Sequence, residues 1–260
     1  MERGLRFAAT VLSYLVYGLG ALLVWWLIYP ATAWRHPPAA RPAYARRLSR
    51  RAFRFFVEWM RRTGVWDFHL EGAQRLRGRG RVIVANHPSF LDIVLLFAFV
   101  EDAVCVVKPS LARVPLVGRP IRCCGHILAD DSQTLLPAAL AALRQGANLI
   151  LFPQGTRTPP EAAWRFQRSA ARIALETGAP IVPVYLRYRP LLLGKGQSWH
   201  QVPEYRPAVT VTVGAEIDPG KVMDAGLPLS VAARRLTRHL ERLYSDWHER
   251  DASRAPAGRR

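Results

Sequence analysis

Two kinds of hydrophobic pattern divide the chain near residue 64. Residues 7–29 form an apolar run without a charged side chain, and residues 44–62 mix apolar and aromatic side chains with several arginines. Beyond residue 64, short apolar runs alternate with longer segments of helical periodicity. Runs of four to eight apolar residues are typical of strands, and the longer periodic segments are typical of helices.

The alternation beyond residue 64 predicts a definite set of elements. The predicted strands cover residues 68–71, 82–85, 103–107, 149–152, 181–188 and 208–213. The predicted helices cover residues 89–100, 133–145, 166–177 and 229–250. Strands that alternate with helices indicate an α/β fold with a largely parallel central sheet flanked by helices. We expect membrane-anchoring helices at 1–64, a catalytic domain at 65–250 and a disordered basic tail at 251–260.

The apolar run has the length and flanks of a membrane anchor. As a helix, residues 7–29 would cover a hydrocarbon core of roughly 30 Å. The run is too long for a typical cleaved signal, and aromatic side chains cluster near its end, so we expect a retained anchor. These aromatic side chains are Trp25, Trp26, Tyr29 and Trp34. The segment 44–62 suits the interface plane, which leaves two arrangements open: a spanning helix with a surface helix, or a hairpin in one leaflet.

The charge distribution favours a lipid partner. The chain has 37 Lys and Arg against 19 Asp and Glu, and the excess is concentrated between residues 35 and 81, directly after the apolar run. This arrangement favours an anionic membrane surface, and the positive-inside rule places the catalytic part on the cytoplasmic side of a bacterial inner membrane. Nucleic acid is the competing partner, but no recognition motif accompanies the charge. Three cysteines at 105, 123 and 124 match neither a disulfide framework nor a metal site.

A histidine and an aspartate follow the second predicted strand. His87 and Asp92 lie in residues 86–92 (NHPSFLD), directly after the run 82–85. A histidine beside a carboxylate deprotonates an alcohol, since the carboxylate fixes its tautomer and stabilises the imidazolium. Five residues along a straight helix would separate the two side chains, but Pro88 keeps His87 extended and opens the helix after it. The alternative is a capping histidine and a surface aspartate.

A second motif follows the strand predicted at 149–152. Gly155 permits close approach of the backbone, Thr156 offers a hydroxyl, and Arg157 offers a planar cation for a phosphate or carboxylate. Ligands of α/β sheets bind beyond the carboxyl ends of the strands, so this motif and His87 are expected to face one crevice. An ordinary turn is the alternative.

The motifs occur in an order that resembles the glycerolipid acyltransferase family, whose best-known members are bacterial 1-acylglycerol-3-phosphate acyltransferases. The resemblance covers residues 82–186 and rests on four blocks behind an N-terminal apolar segment. In chain order the blocks are His87-x4-Asp92, residues 108–127 from Lys108 to Ile127, Phe152-Pro153-x-Gly155-Thr156-Arg157, and Ile181-Val182-Pro183-Val184.

The resemblance implies O-acyl transfer from an acyl thioester of coenzyme A or acyl carrier protein to a lysophospholipid-like acceptor. His87 is then the base and Asp92 its partner, without a metal, a further cofactor or a covalent acyl-enzyme. Gly155, Thr156 and Arg157 inherit the binding of the acceptor's phosphate. Lys108 and Pro183 are expected to bind substrate, the latter at the acyl site.

Two positions depart from the family pattern. Gln154 stands where relatives usually carry Glu, and Asp131 stands where they usually carry a phosphate-binding Arg, with Arg113, Arg119 and Arg122 as possible substitutes. A carboxylate repels phosphate, so a different acceptor is an alternative. Residues 193–203 resemble enzymes of aryl-polyene or xanthomonadin-type pigment lipids. A thioester hydrolase and a membrane-associated binding protein without activity are further alternatives.

Overall fold

The N-terminal quarter of the chain is helical and lies on one side of a sheet. The computed structural model describes residues 3–159, 162–222 and 226–253. Helix α1 (Arg3–Leu22) continues through a π-helical turn (Leu23–Ile28) into α2 (Tyr29–Ala33). A 3-10 turn then leads into α3 (Arg41–Arg62). One face of α3 buries Phe56, Val57 and Met60 in the core beneath it.

Among the described residues, seven strands form one sheet. The strands are β1 (Asp67–Glu71), β2 (Val82–Ala85), β3 (Ala103–Val107), β4 (Ile127–Leu128), β5 (Asn148–Leu151), β6 (Ile181–Arg189) and β7 (Ala208–Val213). Their spatial order is β1-β7-β6-β2-β5-β3-β4. Every pair of neighbours is parallel except β6 and β7, which are antiparallel. The predicted α/β fold with a largely parallel sheet is therefore confirmed.

Helices cover both faces of this sheet. They are α4 (Asp92–Phe99), α5 (Pro115–Cys124), α6 (Ser132–Arg144), α7 (Ser169–Thr177), α8 (Pro219–Val222) and α9 (Leu229–Ser253). Alternate residues of the central strands point to opposite faces. Ile83 and Val182 pack with α3 and α4 on one face, whereas Val82 and Ile181 pack with α6, α7 and α9 on the other.

The structure departs from the predicted elements in a few places. The predicted helix 89–100 begins three residues later, at Asp92, and β4 and α5 were not predicted. A strand of two residues is too short to show a pattern. Helix α5 contains Pro120 and Gly118, both of which lower helix propensity. Helix α9 continues to Ser253 inside the predicted tail, and residues 254–260 lie outside the described part of the chain.

Pro183 occupies a central strand, where a proline removes a hydrogen bond of the ladder. It pairs with Val84 of β2, and beside this pair the hydroxyl of Tyr244 in α9 lies between the Val184 N–H and the Val84 carbonyl. The Tyr244 hydroxyl donates to the Val84 carbonyl over 2.7 Å and accepts from the Val184 amide over 3.1 Å. Helix α9 thereby fixes β2 to β6 just below the carboxyl end of β2, where the His87 segment begins.

Candidate active site

His87 and Asp92 form a hydrogen-bonded pair at the carboxyl end of β2. The Nδ1 atom of His87 lies 2.8 Å from Oδ2 of Asp92. The Asp92 side chain is fully buried, whereas 21% of the His87 side chain is exposed. Because Nδ1 faces the carboxylate, the second ring nitrogen, Nε2, is the one left to meet a substrate.

Three hydrogen-bonding groups hold the Asp92 carboxylate in place. Besides His87, Oδ2 accepts the Ser89 backbone N–H over 2.8 Å, and Oδ1 accepts the Tyr188 hydroxyl over 2.6 Å. Burial raises the pKa of Asp92, and the hydrogen bonds from His87, Tyr188 and Ser89 act in the opposite direction. The negative charge also lies in the first turn of α4, where the helix dipole favours it.

The turn between the two residues explains how they meet. Ser89 donates its hydroxyl to the Leu192 carbonyl over 2.6 Å and accepts the Leu91 amide over 3.1 Å. These bonds hold residues 89–91 in a turn and delay the start of α4 to Asp92. Asp92 is the first residue of α4, and its side chain points back toward His87. The helix therefore starts three residues later than predicted.

Other contacts fix the His87 backbone and ring. The His87 N–H donates to Oε1 of Gln154 over 2.9 Å, and the Thr158 N–H donates to the His87 carbonyl over 2.8 Å. The imidazole stacks on Phe152, with ring centroids 4.2 Å apart and planes 21° apart. Gln154, which departs from the family pattern, therefore has a structural role, since it joins the loop after β5 to the backbone of His87.

The motif after β5 lies beside His87, as expected for two loops at the carboxyl edges of neighbouring strands. Gly155 has a φ of +72°, a backbone conformation in which a residue with a side chain would be strained. Thr156 is exposed. Arg157 is partly buried and donates through Nη1 to the carbonyls of Leu193 and Gly194, both at 3.3 Å. These long bonds leave the rest of the guanidinium for a ligand.

The two remaining predicted binding residues lie apart from His87. Lys108 is exposed after β3, at the same edge of the sheet but two strands away from β2. Pro183 is buried in β6 on the face that α9 covers, close to Gly214 and Trp247. His87 follows the alternate positions Ile83 and Ala85, which face α3 and α4. Strand alternation turns the Pro183 ring to the opposite face, and its expected part in the acyl site stays a prediction.

Asp131 has a structural part where the family carries an arginine. It caps the N-terminus of α6, accepting the Thr134 amide over 2.8 Å, and this bond lowers its pKa. Of the possible substitutes, Arg119 lies over the Trp26 ring and Arg122 donates to the Ala112 carbonyl. Neither of these two contacts points the guanidinium toward the His87 pair.

Tyr188 and Ser89 are part of the site but were not predicted. Tyr188 shares the alternating positions of Val182, Val184 and Leu186, which face the α4 side of the sheet. Strand periodicity therefore gave a signal that Tyr188 points toward the helix bearing Asp92. Nothing in the sequence indicated that Ser89 would bond to the loop after β6, because that contact spans 103 positions.

The described residues contain no group of three or more His, Cys, Asp or Glu side chains arranged to hold a metal ion. The residue types that the site does present are a base, a carboxylate, a phenol, an amide and a guanidinium. Such a set is suited to moving a proton and to binding an anionic or polar group.

Comparisons with known proteins agree with this description. A family model described as Acyltransferase matches residues 67–187. A 1-acyl-sn-glycerol-3-phosphate acyltransferase of Pseudomonas aeruginosa is 28% identical over 149 residues, covering 52% of this chain and 58% of that protein. The enzyme of the same name from Helicobacter pylori is 33% identical over 147 residues, covering 54% and 60%.

A further relative acts on a different lipid. A lyso-ornithine lipid O-acyltransferase of Pseudomonas aeruginosa is 33% identical over 110 residues, which cover 41% of this chain and 42% of that protein. The chain thus spans about half the length of the curated relatives that it matches.

The fold has a solved counterpart. The crystal structure of PlsC, the 1-acyl-sn-glycerophosphate acyltransferase of Thermotoga maritima, superposes with a TM-score of 0.73. It is 24% identical, and the match covers 98% of this chain and 99% of that one. Taken with the motif order and the His87 geometry, the comparisons lead to one conclusion: residues 67–187 of this chain match the Acyltransferase family model, and the chain has the fold of a solved acyltransferase.

Proposed function

We propose that the protein is a membrane-bound O-acyltransferase in which His87 is the general base. The carrying observation is the 2.8 Å contact between His87 Nδ1 and a fully buried Asp92. Asp92 holds the proton of the imidazole on Nδ1, so Nε2 has a free lone pair that accepts the proton of an acceptor hydroxyl.

The reaction then balances without an added group. The acceptor oxygen bonds to the thioester carbonyl carbon while its proton moves to Nε2. The tetrahedral intermediate collapses with loss of the carbon–sulfur bond, and the imidazolium returns the proton to the departing thiolate. Asp92 stabilises the transient imidazolium in a setting where burial strengthens their interaction. The donor is an acyl thioester of coenzyme A or acyl carrier protein, and the mechanism needs neither a metal nor a further cofactor.

The acceptor of the proposed reaction is a lysophospholipid-like alcohol such as 1-acylglycerol-3-phosphate. Gly155 adopts a φ of +72° in the turn, Thr156 offers an exposed hydroxyl, and Arg157 retains donors for a phosphate. The relatives named for this acceptor support the assignment.

A second candidate is the same chemistry on an acceptor without a glycerophosphate, such as a pigment lipid. Two observations favour it: Asp131 occupies an arginine's position as a helix cap, and Arg157 already bonds to two carbonyls. A relative named for a lyso-ornithine lipid supports the possibility of such an acceptor.

The apolar N-terminal helix supports the membrane part of the proposal. The segment Arg3–Ala33 is 31 residues long and apolar enough to cross a membrane by length and composition. However, it contacts the catalytic domain near both ends, through Arg6 on Pro203 and through Val24 and Trp25 beside Cys124. A helix fastened at both ends along the domain favours insertion into one leaflet over a perpendicular span. Its basic flanks favour the cytoplasmic leaflet of a bacterial inner membrane.

The proposal is tested by product analysis with purified protein in detergent. Radiolabelled acyl-CoA and acyl carrier protein are each offered with 1-acylglycerol-3-phosphate, a lyso-ornithine lipid or an aryl-polyene alcohol. Acyl transfer to one of these alcohols supports the function and identifies the acceptor. Thioester hydrolysis at the same rate with and without every alcohol would instead identify a hydrolase, and binding without turnover would identify an inactive binding protein.

A further inference from the structure

The connection between β6 and β7 touches the candidate active site at one end. Residues 190–204, here called the strap, leave β6 directly after Tyr188 and Arg189. The Leu192 carbonyl accepts the Ser89 hydroxyl over 2.6 Å, and the Leu193 carbonyl accepts the Phe90 N–H over 3.1 Å. Both donors lie in the turn between His87 and Asp92, so the strap helps to set the shape of that turn.

The other end of the strap is fastened to α1. Arg6 is 5% exposed, and its Nη2 donates to the carbonyls of Pro203, at 3.1 Å, and Glu204. Two helical turns later, the Tyr14 hydroxyl donates to the Trp199 carbonyl over 3.2 Å. The Tyr14 and Trp199 rings also meet edge to face, with centroids 5.8 Å apart. The apolar helix therefore holds the strap by main-chain atoms at three of its residues.

Consecutive local hydrogen bonds stiffen the strap between its two ends. The Gly194 N–H donates to Oε1 of Gln197 over 2.8 Å, and the Ser198 N–H donates to Oε1 of Gln201 over 3.0 Å. Leu192 is 5% exposed and packs in the core. Leu193 has a φ of 53°, which a residue with a β-carbon rarely adopts and which the surrounding contacts must maintain.

The opposite side of α1 is open and apolar. Leu12, Leu15 and Leu19 are 46%, 58% and 66% exposed, respectively. A lipid surface that covers these side chains would change the position of α1 against the rest of the protein, here called the seating of α1. Because the strap is bonded to α1, it would move with the helix. The described contacts thus form an unbroken path from the exposed face of α1 to the turn that joins His87 and Asp92.

We infer that Arg6 and Tyr14 are positioning residues that couple the seating of α1, through the strap, to the geometry of the His87–Asp92 turn. The inference deepens the proposed function, since it takes His87 as the base and a membrane as the surface that seats α1. Its central test needs no turnover, because the Phe90 N–H that donates to Leu193 is an exchangeable reporter of the strap's position.

Amide hydrogen exchange of the full chain in detergent tests the coupling. Arg6→Gln and Tyr14→Phe each weaken the fastening of the strap to α1. Tyr17→Phe is the matched control, because this ring packs on Phe53 and Phe56 of α3. We expect exchange in a peptide covering residues 88–92 to rise about threefold or more in both test variants, as it does in residues 192–204. The control should leave both peptides unchanged.

Faster exchange confined to residues 199–204, with 88–92 unchanged, would overturn the inference. Tyr14→Phe keeps the ring and removes one hydroxyl, so it remains informative if Arg6→Gln does not fold. A second readout compares turnover of an acceptor in anionic phospholipid vesicles with turnover of a monomeric short-chain acceptor. The coupling predicts that vesicles raise kcat in the wild type and in Tyr17→Phe, and that Tyr14→Phe loses this gain.

Retention of the full vesicle gain in Tyr14→Phe would contradict the coupling. An absence of turnover with every acceptor would count against the proposed function, whereas the exchange result would still decide whether α1 and the His87 turn are linked.

Discussion

Removing the Tyr188 hydroxyl tests the electrostatics of the site most sharply. This phenol donates to Oδ1 of Asp92 over 2.6 Å in a fully buried position. Burial raises the pKa of Asp92, and the Tyr188 hydrogen bond offsets part of that effect. In Tyr188→Phe the pKa of Asp92 therefore rises further, so Asp92 takes up a proton at a higher pH than in the wild type. Catalysis needs the unprotonated pair, and it is lost earlier as the pH falls.

The size of the expected pH shift follows from the charge on Asp92, which accepts the hydrogen bond. A hydrogen bond to a charged group contributes about 1.5–3 kcal/mol, which corresponds to roughly 1–2 pH units if it is lost entirely on protonation. A protonated Asp92 still accepts a weaker hydrogen bond from the Tyr188 hydroxyl, so only part of the bond is lost. We therefore expect the acid limb of kcat/KM to move up by about half to one pH unit, with roughly a tenfold loss at the plateau.

The assay is a pH profile of kcat/KM for acyl transfer between pH 4 and 9. Tyr185→Phe is the control, because it removes a buried hydroxyl from the same strand, one that bonds His248 on the opposite face. The control should leave the acid limb in place. An unmoved limb in Tyr188→Phe, or an equal shift in both variants, would refute the electrostatic part assigned to Tyr188.

Three further substitutions follow from the same geometry. Gln154→Ala leaves the His87 N–H without its acceptor and should lower the free energy of unfolding by about 1–3 kcal/mol, whereas Gln154→Glu keeps an acceptor and should restore it in a denaturant titration. Tyr244→Phe removes the hydroxyl that bridges the Val184 N–H and the Val84 carbonyl, so a similar loss is expected, and an unchanged midpoint would contradict it. Gly118→Ala should lower the free energy of unfolding by roughly 1–3 kcal/mol or more, and with it the Tm, because the new β-carbon would lie 2.1 Å from the Ala112 carbonyl oxygen. An unchanged Tm would show that the backbone yields.

The fold could be predicted largely because the central strands are short, strongly apolar runs. The bounds of β2 and β3 match the sequence pattern residue for residue, since both strands are apolar runs that are followed directly by a polar residue, Asn86 or Lys108. The antiparallel β6–β7 pair and the two-residue β4 depend on contacts between distant segments, which periodicity does not record. The start of α4 was missed because a long-range bond from Ser89, rather than local propensity, decides it.

The site was predictable only where chemistry is local in sequence. His87 and Asp92 are five positions apart, and Pro88 between them indicated a turn that brings the two side chains together. Tyr188 joins the pair from 96 positions away. Pro183 was assigned to the substrate from motif resemblance, and its ring lies on the face of the sheet opposite to that of Ile83 and Ala85. The binding parts assigned to Gly155, Thr156, Arg157, Lys108 and Pro183 stay predictions.

The central claim is that a buried carboxylate orients His87 to deprotonate an acceptor alcohol. The most direct measurement is the rate of acyl transfer by His87→Gln, beside His200→Gln, which changes an exposed histidine of the strap. Circular dichroism and thermal denaturation establish that both variants fold. The account predicts that His87→Gln loses roughly a thousandfold or more in kcat and that His200→Gln keeps wild-type turnover. Transfer by folded His87→Gln at a rate near that of the wild type would contradict the claim.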